Sequence, residues 1–353
     1  IGLDMSFLNN RLTFTGDYFI RNTEGMLADS YELPGVFGAK TPDENCADLR
    51  TNGWELYLGW NDSFALMGKR FNYTVSATLG DNKTVFTKFN NPEKNLSNHY
   101  EGKVWGEIWG YRVDGLFASD EEAAEYTSKI NQDAVNERIL TDKVDPYYRA
   151  GDLKFRDLDG DNVISKGDDT AYDAGDREII GNETPRYMYS FRLGADWNGF
   201  DLGIFFQGVG KRDWYPSHLS TGFWGPYSRA FTSFIPANFM DQCWSEENPG
   251  GYLPRFRGYQ TFASSQLGVA NDRYLQDASY IRLKNLTVGY TLPVLKKVFT
   301  KLRVYFTGEN LWYWSPMKKY TKYIDPEAAG GNGNTGMAYN YSRNFSVGVD
   351  ITF

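Results

Sequence analysis

Cysteine, histidine, long apolar runs and a surplus of basic charge are what this sequence has little of, and each shortage closes a class of function. Cys46 and Cys243 are the only two cysteines in 353 residues, too few and too far apart for a disulfide framework or a metal knuckle. Both are expected in loops, as two unpaired or buried thiols or as one bridge. His99 and His218 have no companion Cys or Ser motif and no acidic pair is marked out as a glycosidase couple, so no catalytic constellation is present. Both histidines read as solvated loop residues. No stretch approaches the ~18 apolar residues of a membrane helix, which excludes helical spanning. With 37 basic against 45 acidic residues, a net charge of -8 and no basic block, nucleic acid is not an expected partner. No signal peptide is visible, and the opening IGLDMSFL already alternates, so the sequence is read as a fragment that starts inside a strand.

What is present is aromatic content, at 17%, alongside a mean hydropathy of -0.53, and a two-residue alternation that recurs from end to end. In NFSVGVDITF, Phe345, Val347, Val349, Ile351 and Phe353 share one parity while Ser346, Gly348, Asp350 and Thr352 share the other. That period means a strand with one apolar and one polar face. Leu3, Met5 and Phe7 turn at Asn9-Asn10 into Leu12, Phe14, Tyr18 and Ile20; Trp54, Leu56, Leu58 and Trp60 lead to Phe71, Tyr73, Val75 and Leu79. Tyr187, Tyr189, Phe191, Leu193 and Trp197 turn at Asn198-Gly199 into Phe200, Leu202, Ile204 and Phe206, a two-residue hairpin signal. The parity slips between Leu283 and Leu286, which predicts a bulge or a membrane boundary near Lys284-Asn285.

Connection lengths sort these strands. Short turns fall near 9–10, 62–69, 198–199 and 293–301, and long segments near 23–52, 81–186, 209–278 and 314–341. Short turns at one end and long loops at the other is the organisation of an outer-membrane barrel. About nine spanning strands are expected, near 1–22, 53–80, 187–209, 279–312 and 342–353, an odd number that cannot close antiparallel on itself. Aromatics near strand ends, among them Tyr18, Trp54, Trp60, Tyr187, Trp197, Tyr290 and Trp312, fit the two girdles of such a wall. A soluble carbohydrate-binding β-sandwich is the alternative, with the same stripes packed as a core.

Several stretches resemble the C-terminal half of the SusC-like TonB-dependent transporters of Gram-negative outer membranes. They are GDREIIGNETPRYMYSFRLGADWNGFDLGIFFQGVGKRD (Gly175–Asp213), DASYIRLKNLTVGYTLP (Asp277–Pro293), LRVYFTGENLWYW (Leu302–Trp314), YIDPE (Tyr323–Glu327) and the last strand, and together they span nearly the whole chain. The resemblance implies an all-β fold, part of a large transmembrane antiparallel β-barrel of about 22 strands with a plugged lumen and long extracellular loops. It implies no enzyme but an importer in the outer membrane, in contact with lipid, capped by a SusD-like surface lipoprotein and driven through TonB. Oligosaccharide is the expected cargo and peptide the second choice. The plug, the TonB-contacting segment and earlier strands have no counterpart in this sequence, so the expected role is part of the wall and the outer loops.

The long segments carry three local motifs. DLDGDNVISKGD has EF-hand spacing, with Asp157, Asp159, Asp161 and Asp168 at positions 1, 3, 5 and 12, the Val163 carbonyl at 7 and Ser165 at 9. Asn162 replaces the usual Gly at 6 and tolerates the left-handed turn needed there. Calcium is the expected ligand, a metal-free acidic turn the alternative, and a weak site of ~10⁻⁴–10⁻³ M would suffice outside the cell. Upstream, a capping box from Ser119 to Glu122 opens a helix of structural role in the 81–186 loop. Finally, DWYPSHLSTGFWGPYSRAF gathers rings that could stack on sugars or hold a protein lid, and Trp214, Trp224 and Tyr227 are the candidate ligand contacts; packing of the loop is the other reading.

Overall fold

The computed structural model describes residues 1–29, 43–231, 233, 235–262, 264–293, 300–330 and 340–353. Nine long strands form one sheet in which each pairs antiparallel with its neighbours in the chain. They are β1 (Gly2–Phe7), β2 (Leu12–Asp29), β3 (Asp43–Leu66), β4 (Lys69–Lys88), β5 (Arg186–Trp197), β6 (Phe200–Lys211), β7 (Tyr280–Thr291), β8 (Lys301–Trp314) and β9 (Asn344–Thr352). β1 and β9 are the two edges of this sheet.

The turns sit where the sequence puts them. Leu8, Asn9 and Asn10 all have positive φ, and Asn198 (φ 49°) and Gly199 (φ 90°) make a two-residue turn with both φ positive, whose twist matches that of the flanking strands. The β3–β4 turn falls at Met67-Gly68. The connection expected at 293–301 lies largely outside the described residues, as do parts of the segments around 30–42 and 331–339. The parity slip is a bulge: the register of β7 against both β6 and β8 skips Lys284.

β2, β3 and β4 run longer than the alternation indicated, to 18, 24 and 20 residues, so most of the expected 23–52 loop is strand. About 9–11 residues cross a bilayer; the remainder rises above it. Cys46 therefore lies in β3 and not in a loop; its Sγ donates to the Ala28 carbonyl at 3.6 Å, and the Cys243 Sγ donates to that of Phe239 at 3.4 Å.

Register fixes the two faces. Leu3, Gly16, Leu56, Leu79, Tyr189 and Gly208 fall on one row, and Phe14, Leu58, Ala77, Phe191, Phe206 and Leu283 on another of the same face. The large side chains of this face stand in the open: Leu58, Phe191, Val288, Phe345 and Val349 are all exposed, and Val347 is 77% exposed. No hydrophobic cluster among the described residues is built from this band; the buried clusters lie in the connections and the strand extensions. A sandwich would cover these side chains with a second sheet, and an apolar face of this extent does not stand in water. The soluble sandwich is thereby overturned, and lipid is the solvent of this face.

Candidate functional site

The two long connections after β4 and β6 fold together into one extracellular core. Leu153, Phe155 and Ile164 of the first pack with Trp224, Tyr227, Leu253, Leu267 and Tyr274 of the second. The backbones join as well: the Tyr111 N–H donates to the Ala270 carbonyl (2.9 Å) and the Asp272 N–H to the Tyr111 carbonyl (3.1 Å). Between them Arg257 donates to both oxygens of Asp152, at 3.2 and 3.1 Å, with the pair buried to 7% and 1% exposure. The helix is present as α1, Asp120–Thr127, with Ser119 Oγ accepting the Glu122 N–H as expected of the cap.

This core corrects the aromatic assignment. Trp214, Trp224 and Tyr227 are 2%, 0% and 0% exposed. Trp224 Nε1 donates to the Pro216 and Ser217 carbonyls and the Tyr227 hydroxyl to that of Pro254. Rings whose faces and polar edges are both occupied present nothing to a ligand, so these three pack the loops. The histidines are exposed, yet His99 stacks on Phe86 at 4.3 Å and on Trp105 at 5.6 Å, and burial in that stack lowers its pKa.

The acidic turn is present, but two of its expected carboxylates, Asp161 and Asp168, fall outside the close group and Asp176 enters it. Carboxylate oxygens of Asp157, Asp159 and Asp176 all lie within 4.8 Å of one another, a group that includes neither Asp161 nor Asp168. Asp157 accepts the Gly160 and Asn162 N–H groups, and Asp161 accepts that of Val163 at 2.7 Å. Asn162 has φ 68°, the left-handed turn expected at that position. Asp176 is buried and accepts from Leu158 N and Ser165 N, both at 2.7 Å. Its burial, with the charges of Asp159 and Asp157 beside it, raises its pKa. The reason for the exchange is an excursion over 168–174 closed at its neck by two glycines. A Cβ on Gly175 would stand 2.5 Å from Gly167 N, and one on Gly167 2.6 Å from Gly175 N. This approach returns Asp176 to the place that regular spacing gives to Asp168.

The YIDPE stretch anchors the last long connection. Asp325 and Glu327 both engage Arg282, which is 1% exposed and lies 4.7 Å from the centre of the Tyr313 ring; Glu327 also takes Lys284 Nζ at 2.7 Å. Lys284, the residue extruded by the bulge, is thus turned to its carboxylate partner.

On the face opposite the lipid, register lays polar residues in rows. Asp4, Thr15, Tyr57, Thr78, Ser190, Gln207 and Arg282 make one row, with Asp17, Glu55, Gly80, Met188, Val209 and Tyr280 above it on the loop side. Below it lie Thr13, Gly59, Ser76, Arg192, Phe205 and Asn285. Two adjoining cavities of about 540 and 360 Å³ share Thr78 and Met188 along these rows. Sequence reasoning gave the strands a polar face but singled out none of these residues as a site, because polar groups at period two carry no motif.

No protein-family model matches the chain. It is 27% identical over its whole length to TonB-dependent receptor P3 of Formosa agariphila, covering 33% of that protein, and 22% identical to TonB-dependent receptor SusC of Bacteroides thetaiotaomicron, again over its whole length and covering 31%. Among solved structures, the RagAB peptide transporter superposes on all of the chain with a TM-score of 0.67 at 23% identity, over 34% of that chain. Over its whole length the chain is similar to TonB-dependent receptors, SusC among them. The chain spans about a third of the length of the relatives it matches, and its nine strands have the fold of part of the RagAB barrel. These relatives are named as receptors and transporters, not as enzymes.

Proposed function

We propose that the chain forms part of the wall and the folded outer loops of a TonB-dependent importer of nutrient oligomers, working with a SusD-like surface lipoprotein and drawing energy through TonB. The observation that carries this reading is the nine-strand sheet with one lipid face, one polar face and its two longest connections gathered into one core. For the cargo we now place peptide before oligosaccharide. The rings that favoured sugars are buried, and RagAB, described as a peptide transporter, supports the peptide class. Cells carrying the intact transporter test both: growth on peptides without a glycan requirement is expected, and growth on glycans alone would restore the opposite order. Failure to take up either solute would remove the importer.

The acidic turn of this loop core is read as a calcium site, with Asp157, Asp159 and Asp176 as carboxylate donors. Hard oxygen donors gathered this closely fit a calcium ion, and three carboxylates without a cation repel one another. Asp176→Asn is expected to weaken calcium binding by the intact transporter about tenfold, by loss of one charged ligand, while Asp168→Asn leaves it unchanged. Equal effects of the two would return the site to the regular spacing.

A further inference from the structure

Register carries the lipid face past the outer end of its apolar band. The row of Gly16, Leu56 and Leu79 is followed two residues on by Tyr18, Trp54 and Asp81, then by Ile20, Asn52 and Lys83, then by Asn22, Arg50 and Val85. All share one parity, and along it carbon gives way to nitrogen. Arg50 and Lys83 are both exposed, and among the described residues no carboxylate pairs with either. Asp81, two residues from Lys83, already gives both its oxygens to Arg186. Arg50 uses its Nε, which donates to Asn22 Oδ1 at 3.1 Å, so its guanidinium is oriented while its terminal nitrogens stay without a partner. At the same end of the band β7 and β8 place Ile281 opposite Trp314, with no cation, so the basic pair is a local feature of β3 and β4. This stretch of wall is also complete in itself. β2, β3 and β4 each have both strand neighbours within the chain, so the rest of the barrel adds no strand beside them, and whatever fills the lumen lies on the other side of the sheet.

We propose that Arg50 and Lys83 form a binding site for the phosphates of the acidic glycolipid that makes up the outer leaflet of a Gram-negative outer membrane. The assignment rests on the outer-membrane reading of this wall and adds to it one specific lipid. Height fits the headgroup. Two residues advance ~6.8 Å along a strand, about 5 Å of height at a tilt of roughly 40°, so Lys83 stands about 5 Å and Arg50 about 10 Å above the row of Trp54. Rings such as Tyr18 and Trp54 mark the edge of the hydrocarbon, and polar headgroups occupy roughly the next 5–7 Å. Spacing fits as well. Lys83 is opposite Asn52 and Arg50 opposite Val85, which makes the two cations diagonal neighbours about 7–8 Å apart, a gap that their long side chains close onto one phosphate or a pair. With no anion between them they repel; with one, the guanidinium takes phosphate oxygens through parallel N–H bonds and the ammonium acts as a point charge. An acidic protein would answer the cations but not the apolar band directly beneath them, whereas a phosphorylated lipid answers both.

The test is native mass spectrometry of the intact transporter, purified from outer membranes in mild detergent and offered lipid A with two, one or no phosphates. The diphosphoryl form is expected to bind roughly a hundredfold more tightly than the phosphate-free form, about tenfold for each charge-assisted contact. Arg50→Gln and Lys83→Gln should each remove about tenfold of that preference, and Arg50→Lys should keep part of it. Lys69→Gln, which removes an exposed cation at the opposite end of β4, should change nothing. Heat-modifiable mobility checks that each variant is folded. Equal binding of the three lipids overturns the proposal. So does an equal loss in Lys69→Gln and Lys83→Gln, which would reduce the effect to net charge, and so does displacement of the lipid by an equimolar amount of inorganic phosphate, which would leave an anion site with no lipid in it. If the Gln variants bind lipid unchanged but split a dimer, the face is a contact between protein copies and the assignment ends. Each of these failures leaves solute uptake by cells untouched, so the lipid site falls while the importer stands; recovery of the intact transporter outside the membrane fraction would remove the reading beneath both.

Discussion

A single step along β9 separates two solvents. Val349 lies opposite Val304 on the lipid face, while Asp350 lies opposite Arg303 and accepts from its Nη1 at 2.9 Å. Val349→Asp puts a carboxylate into hydrocarbon, at about 1–2 kcal/mol, below the ~2–4 that Arg or Lys costs at the midplane. Asp350→Asn leaves Arg303 both of its bonds to Asp201, at 2.9 and 2.7 Å, and an exposed ion pair is worth no more than about 1 kcal/mol. The folded, heat-modifiable fraction in outer membranes should fall for the first variant and hold for the second; equal yields would mean that the faces are reversed. Gly289→Val goes further than Asp350→Asn. A Cβ there would stand 2.4 Å from Asp201 Oδ1 and 2.6 Å from Arg303 Nε, so the paired groups that cross this strand must separate.

Elements were legible in the sequence where a solvent enforces a period, and obscure where none does. Inside the band lipid selects every second side chain, so Phe345 to Ile351 or Phe191 to Trp197 could be read directly. Above it β2–β4 continue through stretches such as Leu49-Arg50-Thr51-Asn52, where neither face meets hydrocarbon and the pattern fades while the hydrogen bonds persist. The acidic turn was legible at Asp157 and Asp159 but not at Asp176, because contact between Gly167 and Gly175 closes the excursion through space and no linear spacing records it. The rings of Trp214, Trp224 and Tyr227 gave the opposite error: a loop composition hid a core. The His99 stack beside the extended end of β4 offers a test at this scale. An unfolded histidine takes its proton near pH 6.5, but burial among Phe86 and Trp105, and secondarily the charge of Lys103, holds the folded ring neutral to lower pH. The stability from the stack is therefore present above about pH 6.5 and is lost as pH falls toward the lowered value. Trp105 fluorescence should report loosening as pH falls below about 6.5. His99→Phe should flatten that profile, and an unchanged profile would place the titrating group elsewhere.

At the scale of the whole chain, two structures of different origin are joined: a wall held by strand pairing and lipid, and an outer unit held by its own core. The outer unit draws on both long connections, so its stability should be shared between them. Trp224 belongs to the second connection, and its cluster includes Tyr111, Leu153 and Phe155 of the first. Trp224→Ala leaves a cavity in that common core, at about 3–5 kcal/mol. Asp152→Ala acts from the other side, taking from a buried Arg257 its two-oxygen carboxylate partner, with only Asp145 left at 3.5 Å, and from the Arg149 N–H its acceptor. Removing one partner of a buried pair costs up to about 3–5 kcal/mol, and Asp145 offsets part of that here. Neither change touches the lipid face, so the heat-modifiable band of the barrel should persist. Protease added outside intact cells should then cut both connections, within 89–185 and within 212–279, in either variant and at similar rates. Cleavage confined to 212–279 in Trp224→Ala, with 89–185 still protected, would show that the two loops fold separately and that their shared core is contact without cooperation.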